Sequence, residues 1–284
     1  MSDRKPADPL FDRPVFIVSM PRSGSTLLFE TLLQARALYT IGGESHALIE
    51  GVPELNVAAH NFDSNRLLAK HATPAVTQNL RQRFLSQLRD RNGLRPSVAP
   101  VRMLEKTPKN SLRIPFLARV FPQARFVCLL RDPCEVLSSM LEAWRSSRFR
   151  TYPNLPGWPP AQPWSLLLTP GWRELAHKPL GDIVATQWDT AMRIMLDDLA
   201  ALPASRQIAL GYDAFTADWG AEITRLCRFL DLDWDRPLNG PLPLSRYTVS
   251  KPDPDKWRVN AADIEPQLER LRPTIERAAA IATR

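Results

Sequence analysis

Val15 to Ser19 form an unbroken, largely apolar and β-branched run; the polar stretch Pro21 to Thr26 follows, and then Leu27, Leu28, Leu32 and Leu33 recur at helical spacing. A short continuous apolar run suits a strand buried on both faces, whereas residues three and four apart share one face of a helix. The pattern therefore predicts strand, loop, helix. It recurs at Arg125 to Leu130, a second buried strand. Asp132-Pro133-Cys134-Glu135 follows with the cap, first-turn proline and reciprocal glutamate of a helix start.

Thr73-Pro74 opens another helix, with Val76, Leu80, Phe84 and Leu88 on one face and Gly93 beyond its end. Val184, Trp188, Ala191, Met195, Leu199 and Leu202 predict a longer one from Ile183 to Leu202, its apolar face a core face. Ile208 to Leu210 reads as a short strand, Ile223 to Leu230 as a helix, and Ile264, Leu268, Leu271 and Ile275 as a last helix on the outside of the domain. Alternating strands and helices imply an α/β fold with a parallel sheet flanked by helices on both faces. With 284 residues, 44% of them hydrophobic, a single domain 1–284 is expected. There is no internal repeat.

Two segments depart from the pattern. Residues 1–13 lack an apolar stretch and read as an N-terminal tail rather than a signal peptide. Residues 151–173 hold six prolines and three tryptophans with little periodicity. They predict a structured lid or acceptor loop, because Trp158, Trp164 and Trp172 are costly to leave in water; they either pack beneath the loop or stack on an acceptor.

The formal charge of +7 favours an anionic partner. Nucleic acid is not expected, since the basic residues are scattered and no zinc-finger spacing, RNP-like motif or basic heptad is present. Cys128, Cys134 and Cys227 form no CxxC pair, which disfavours a disulfide framework and a thiolate metal site. No run of eighteen apolar residues occurs, so no transmembrane segment is expected. These features predict a soluble, cytoplasmic chain; they are silent on oligomeric state.

The loop after the first strand is the richest in chemistry. A strand-to-helix turn offers unpaired backbone N–H groups and the positive end of the helix dipole, a ready anion cradle. Gly24 allows close approach, and Ser23, Ser25 and Thr26 add hydroxyls. The nucleotide motif GxxxxGK[ST] does not fit: Ser19 stands at its first glycine and no lysine follows Gly24. Asp132 is explained by capping, so metal-dependent phosphoryl transfer has little support.

PRSGSTLL at 21–28 resembles the 5′-phosphosulfate loop of sulfotransferases that use 3′-phosphoadenosine 5′-phosphosulfate (PAPS). RDPCEVLSS at 131–139 is similar to that family's 3′-phosphate element, an arginine at a strand end and a serine eight positions on. LEKTPKN at 104–110 resembles its central lysine-bearing strand end, and SRYTVSKPDPDKW at 245–257 the closing segment of its tyrosylprotein and bacterial branches. The resemblance implies a P-loop-like fold that binds PAPS through Arg22, Ser23, Gly24, Ser25, Thr26 and Leu27 at one end and Arg131 and Ser139 at the other. Ser245, Lys251 and Lys256 would come from the closing segment. A donor charged at both ends needs two cationic clusters. Four of the chain's seven lysines, Lys106, Lys109, Lys251 and Lys256, fall inside these segments.

The implied reaction is in-line sulfuryl transfer to a hydroxyl, with an amine as the lesser alternative, leaving adenosine 3′,5′-bisphosphate and requiring no metal. Arg22 and Lys106 are the candidates for offsetting charge on the transferred group. Pro108 stands where the cytosolic small-molecule branch carries a histidine base, so the base must come from elsewhere. GGESH at 42–46 looks like the glutamate-bearing segment of the tyrosylprotein branch and nominates Glu44, with His46 second. His60 and His71 read as structural or exposed. Acceptors remain open among small molecules, glycans and peptides. The rival readings are a small-molecule kinase and a non-catalytic nucleotide-binding protein.

Overall fold

The apolar run at Val15–Ser19 (β1) becomes the middle strand of a five-stranded sheet in a computed structural model that describes residues 8–240, 242 and 255–282. In chain order the elements are α1 (Ser25–Leu32), β2 (Leu38–Tyr39), α2 (His46–Glu50), α3 (Pro74–Gln87), β3 (Arg102–Lys106), α4 (Ile114–Val120), β4 (Arg125–Leu130) and α5 (Pro133–Arg145). They continue with β5 (Arg150–Tyr152), β6 (Trp164–Ser165), α6 (Leu180–Ala200), β7 (Gln207–Gly211), α7 (Tyr212–Ala217), α8 (Trp219–Leu230) and α9 (Ala261–Ala282).

The sheet order is β2-β3-β1-β4-β7, with every pairing parallel. Side chains alternate between two cores, as the two-residue period of a strand requires. Phe16, Val18, Met103, Phe126 and Cys128 face α2 to α6 and α9. Val15, Ile17, Leu104, Val127 and Leu129 face α1, α7 and α8. Both faces are covered, as predicted for a parallel sheet. Because β3 lies on one side of β1 and β4 on the other, the chain reverses its winding at β1, where open α/β sheets leave a crevice beyond the strand ends.

Apolar patterning missed β3, whose Arg102, Glu105 and Lys106 are all buried and break the run. The resemblance located its end, but not its length. The helix start at Asp132 differs in one detail. Asp132 Oδ1 accepts the Glu135 N–H at 2.9 Å, while the Glu135 carboxylate turns to Arg131 instead of completing the reciprocal bond. Of the segment read as a tail, residues 8–13 are packed: Phe11 is fully buried and bridges to Val101, and Asp8 pairs with Arg81.

The insertion after α5 carries the antiparallel pair β5 and β6 and is held by indole packing. Trp164 lies edge-on to Trp158 at 4.8 Å and to Trp144 of α5 at 5.2 Å, and Trp158 and Trp172 are 6.0 Å apart. Their N–H groups are spent locally, Trp158 to Gln162 O, Trp164 to Leu167 O and Trp172 to Phe62 O. Of the two readings of these tryptophans, packing holds. Gln187 of α6 clamps the insertion, donating to the carbonyls of Ser165 and Leu167 and accepting from Trp144 Nε1. Among the described residues no helix is long and apolar enough to cross a membrane.

Candidate active site

Leaving β1, the backbone turns through two left-handed residues, Arg22 at φ 70° and Gly24 at φ 87°. For arginine this conformation costs about 1–2 kcal/mol, the kind of strain that collects at functional loops. Gly24 is required twice over, since a Cβ there would lie 2.3 Å from Cε2 of Tyr212. The amides of Gly24, Ser25 and Thr26 donate to nothing among the described residues, whereas the Leu27 amide already serves the Gly24 carbonyl at 3.0 Å. The open donors therefore end at Thr26. Gly24→Ala is expected to destabilise the fold by about 1–3 kcal/mol, read as a melting temperature several degrees lower, and to close the cradle to anions.

Arg131, at the end of β4, meets this loop. Arg22 Nε donates to Ser139 Oγ of α5 at 3.1 Å, so the loop and the α5 serine are in contact. Arg131 bonds Glu135 through Nε at 2.6 Å and lies over the Tyr212 ring at 4.3 Å, the same ring that abuts Gly24. Burial pulls the Arg22 guanidinium below its ordinary range; the Glu142 carboxylate opposes this and the neighbouring Arg131 charge adds to it. Two guanidinium groups brought this close make a cationic corner suited to a phosphate or sulfate. On the outer side Arg22 lies 4.8 Å from the ring of Phe149, at the start of the insertion.

Lys106 ends β3, directly beside β1. Its Nζ donates to Glu44 Oε1 at 2.7 Å, and Glu44 Oε2 lies 2.7 Å from His46 Nε2. Burial would raise the Glu44 carboxyl, but the His46 hydrogen bond and the Lys106 charge outweigh it and hold the group at about 2. Between them Ser45 is anchored by its N–H to Thr107 Oγ1 at 2.7 Å. Lys109 points elsewhere, into a buried cluster with Glu50 at 2.8 Å and the Tyr152 hydroxyl at 3.2 Å. Lys256 Nζ bonds Glu142 Oε2 at 3.0 Å, one turn beyond Ser139. Ser245 and Lys251 lie outside the described residues. His60 and His71 pack on each other 4.9 Å apart.

Residues from four neighbouring strand ends thus converge: Lys106 from β3, the 20–26 loop from β1, Arg131 from β4 and Tyr212 from β7. Tyr212, Thr107 and Phe149 escaped the sequence reading. A tyrosine after a short strand resembles core, and only the missing Cβ at Gly24 signals a close neighbour.

Residues 14–236 match the model of a sulfotransferase family, a span that contains every residue of this convergence. Protein-tyrosine sulfotransferase A of Caenorhabditis elegans is 25% identical over 228 residues, 78% of this chain and 50% of that protein. A putative protein-tyrosine sulfotransferase of Caenorhabditis briggsae is 26% identical over 132 residues, 46% of this chain and 44% of that protein. The chain spans about half the length of the curated relatives it matches. In fold it is similar to the sulfotransferase domain from the curacin biosynthetic pathway, with a TM-score of 0.51 at 18% identity over 95% of this chain and 97% of that one. Sulfotransferase STF9 from Mycobacterium avium superposes with a TM-score of 0.52 at 16% identity, over 93% of this chain and 75% of that one. With the family match running from the first strand past the last sheet strand, and the anion loop, paired arginines and buried lysine falling within it, the chain belongs to the sulfotransferase family.

Proposed function

We propose that the chain moves a sulfuryl group from PAPS to an acceptor hydroxyl. The observation that carries this reading is the contact between the two cationic elements: Arg22 bonds Ser139, and Arg131 shares Tyr212 with Gly24. One nucleotide with charge at both ends can reach both. The amides of Gly24, Ser25 and Thr26 suit the 5′-phosphosulfate, and Arg131 with Ser139 suits the 3′-phosphate.

In this mechanism the acceptor oxygen bonds to sulfur as the bond from sulfur to the bridging 5′-phosphate oxygen breaks. The products are the sulfated acceptor and adenosine 3′,5′-bisphosphate. Lys106 and Arg22 offset charge on the transferred and bridging oxygens. Glu44 accepts the hydroxyl proton. Its value of about 2 belongs to a carboxylate held by Lys106 and His46. When Lys106 turns to the sulfuryl oxygens, Glu44 loses that support and becomes a stronger base. A second reading has its own observation: His46 Nε2 lies against Glu44 while its buried Nδ1 has no partner among the described residues, the arrangement of an imidazole oriented by a carboxylate. Turnover retained in Glu44→Gln and lost in His46→Ala would favour it.

The acceptor class is a peptide or small-molecule hydroxyl. The donor is tested by heat denaturation with ligand. Adenosine 3′,5′-bisphosphate at a hundredfold excess over its Kd is expected to add about 2.7 kcal/mol, a rise of roughly 5 °C or more. ATP with magnesium should leave the transition in place. The reverse outcome would make the chain a kinase-like binder of triphosphates.

A further inference from the structure

Behind the Lys106 and Glu44 pair lies a second carboxylate that the reaction above does not use. Glu105 precedes Lys106 on β3, points to the opposite face of the sheet and is 1% exposed. Its Oε1 accepts from Thr107 Oγ1 at 2.5 Å and its Oε2 from Asn110 Nδ2 at 2.5 Å. Thr107 Oγ1, with its proton given to Glu105, accepts from Ser45 N at 2.7 Å and lies 3.1 Å from Ser45 Oγ. Thr107, Asn110 and Ser45 are all fully buried. Ser45 stands between Glu44 and His46 in the chain, and it opens α2.

A buried carboxylate in a central strand is costly where an apolar residue would pack without penalty. The Glu105 carboxyl is indeed pushed up by burial, against the hydrogen bonds of Thr107, Ser45 and Asn110 and the charge of Lys106. Its cost is repaid by order. Without an acceptor at Oε1 the Thr107 hydroxyl is free to rotate, and the amide that fixes Ser45 loses its oriented partner.

We infer that Glu105 is a positioning residue, which through Thr107 and Ser45 locks the Glu44 and His46 pair against Lys106. The inference deepens the sulfuryl-transfer reading, and its role in turnover rests on that reading. The chain of contacts is directional: the carboxylate orients the threonine hydroxyl, the hydroxyl receives the serine amide, and the serine carries the proposed base on one side and its imidazole partner on the other. If the lock opens, Glu44 leaves Lys106 and His46 and its carboxyl returns toward the ordinary glutamate range.

The test follows the Glu44 carboxyl carbon by NMR in glutamate-labelled full-length protein, assigned with Glu44→Gln. The parent should titrate at about 2. Thr107→Val, which keeps the side-chain shape, and Glu105→Met, which removes both acceptors, should each move the midpoint up by one unit or more. Thr107→Ser should hold the parental value. So should Glu105→Gln, because it keeps an oxygen for Thr107, and Asn110 Oδ1, which has no partner among the described residues, can turn to the new amide. A purely structural role would not give this split between conservative and non-conservative pairs. A midpoint still at about 2 in folded Thr107→Val or Glu105→Met overturns the inference; if Glu105→Met does not fold, Thr107→Val decides. Since no donor is present in the experiment, failure of adenosine 3′,5′-bisphosphate to bind would count against the proposed function alone.

Discussion

Arg131→Ala is expected to abolish the rise in melting temperature produced by adenosine 3′,5′-bisphosphate, with affinity falling by a factor of about 10² to 10⁴. Each charge-assisted hydrogen bond from a guanidinium to a phosphate is worth roughly 1.5–3 kcal/mol, and a bidentate grip makes two of them. The free protein should lose stability as well, because Arg131 is paired with a largely buried Glu135 and lies over the Tyr212 ring. The decisive comparison is therefore between ligand-induced shifts, measured by calorimetry or heat denaturation. An alanine variant with an undiminished shift would mean that the 3′-phosphate is gripped elsewhere.

Lys106→Ala is the counterpart on the chemical step. A preorganised donor aimed at developing charge contributes about 10² to 10³ in rate, so release of adenosine 3′,5′-bisphosphate from PAPS should slow by that factor. Binding of the bisphosphate itself should change only a few-fold, because it lacks the group that Lys106 is proposed to contact. Glu44 provides an internal control. In the parent it is ionised at every pH above about 2; loss of the lysine charge raises it toward 4.5, still well ionised at neutrality. Slow turnover at neutral pH then reflects a missing cation rather than a protonated base. A variant that transfers at the parental rate would remove Lys106 from the mechanism.

How far the sequence carried the fold depended on where its polar residues fell. β1 and β4 were legible because nothing charged interrupts them, and the α5 start because aspartate and proline stand at the positions a first turn demands. β3 was not: the same residues that equip its end, Glu105 and Lys106, erase the apolar signal of a central strand. Arg22, Arg131 and Ser139 were nominated by resemblance; the contact of Arg22 with Ser139, across 117 positions of chain, needed the tertiary structure. Tyr212 was not legible, because it meets Gly24 across 188 positions of chain and only through sheet order. Glu44 was located by resemblance; its bond to Lys106 needed the tertiary structure.

The tryptophan cluster of the insertion has an optical consequence. Indoles arranged edge to face at 4.8 and 5.2 Å couple their electronic transitions, so the four rings should give a near-ultraviolet circular dichroism band that isolated tryptophans lack. Because three of the rings belong to the insertion and the fourth to α5, that band records whether the insertion is seated on the domain, with no added label.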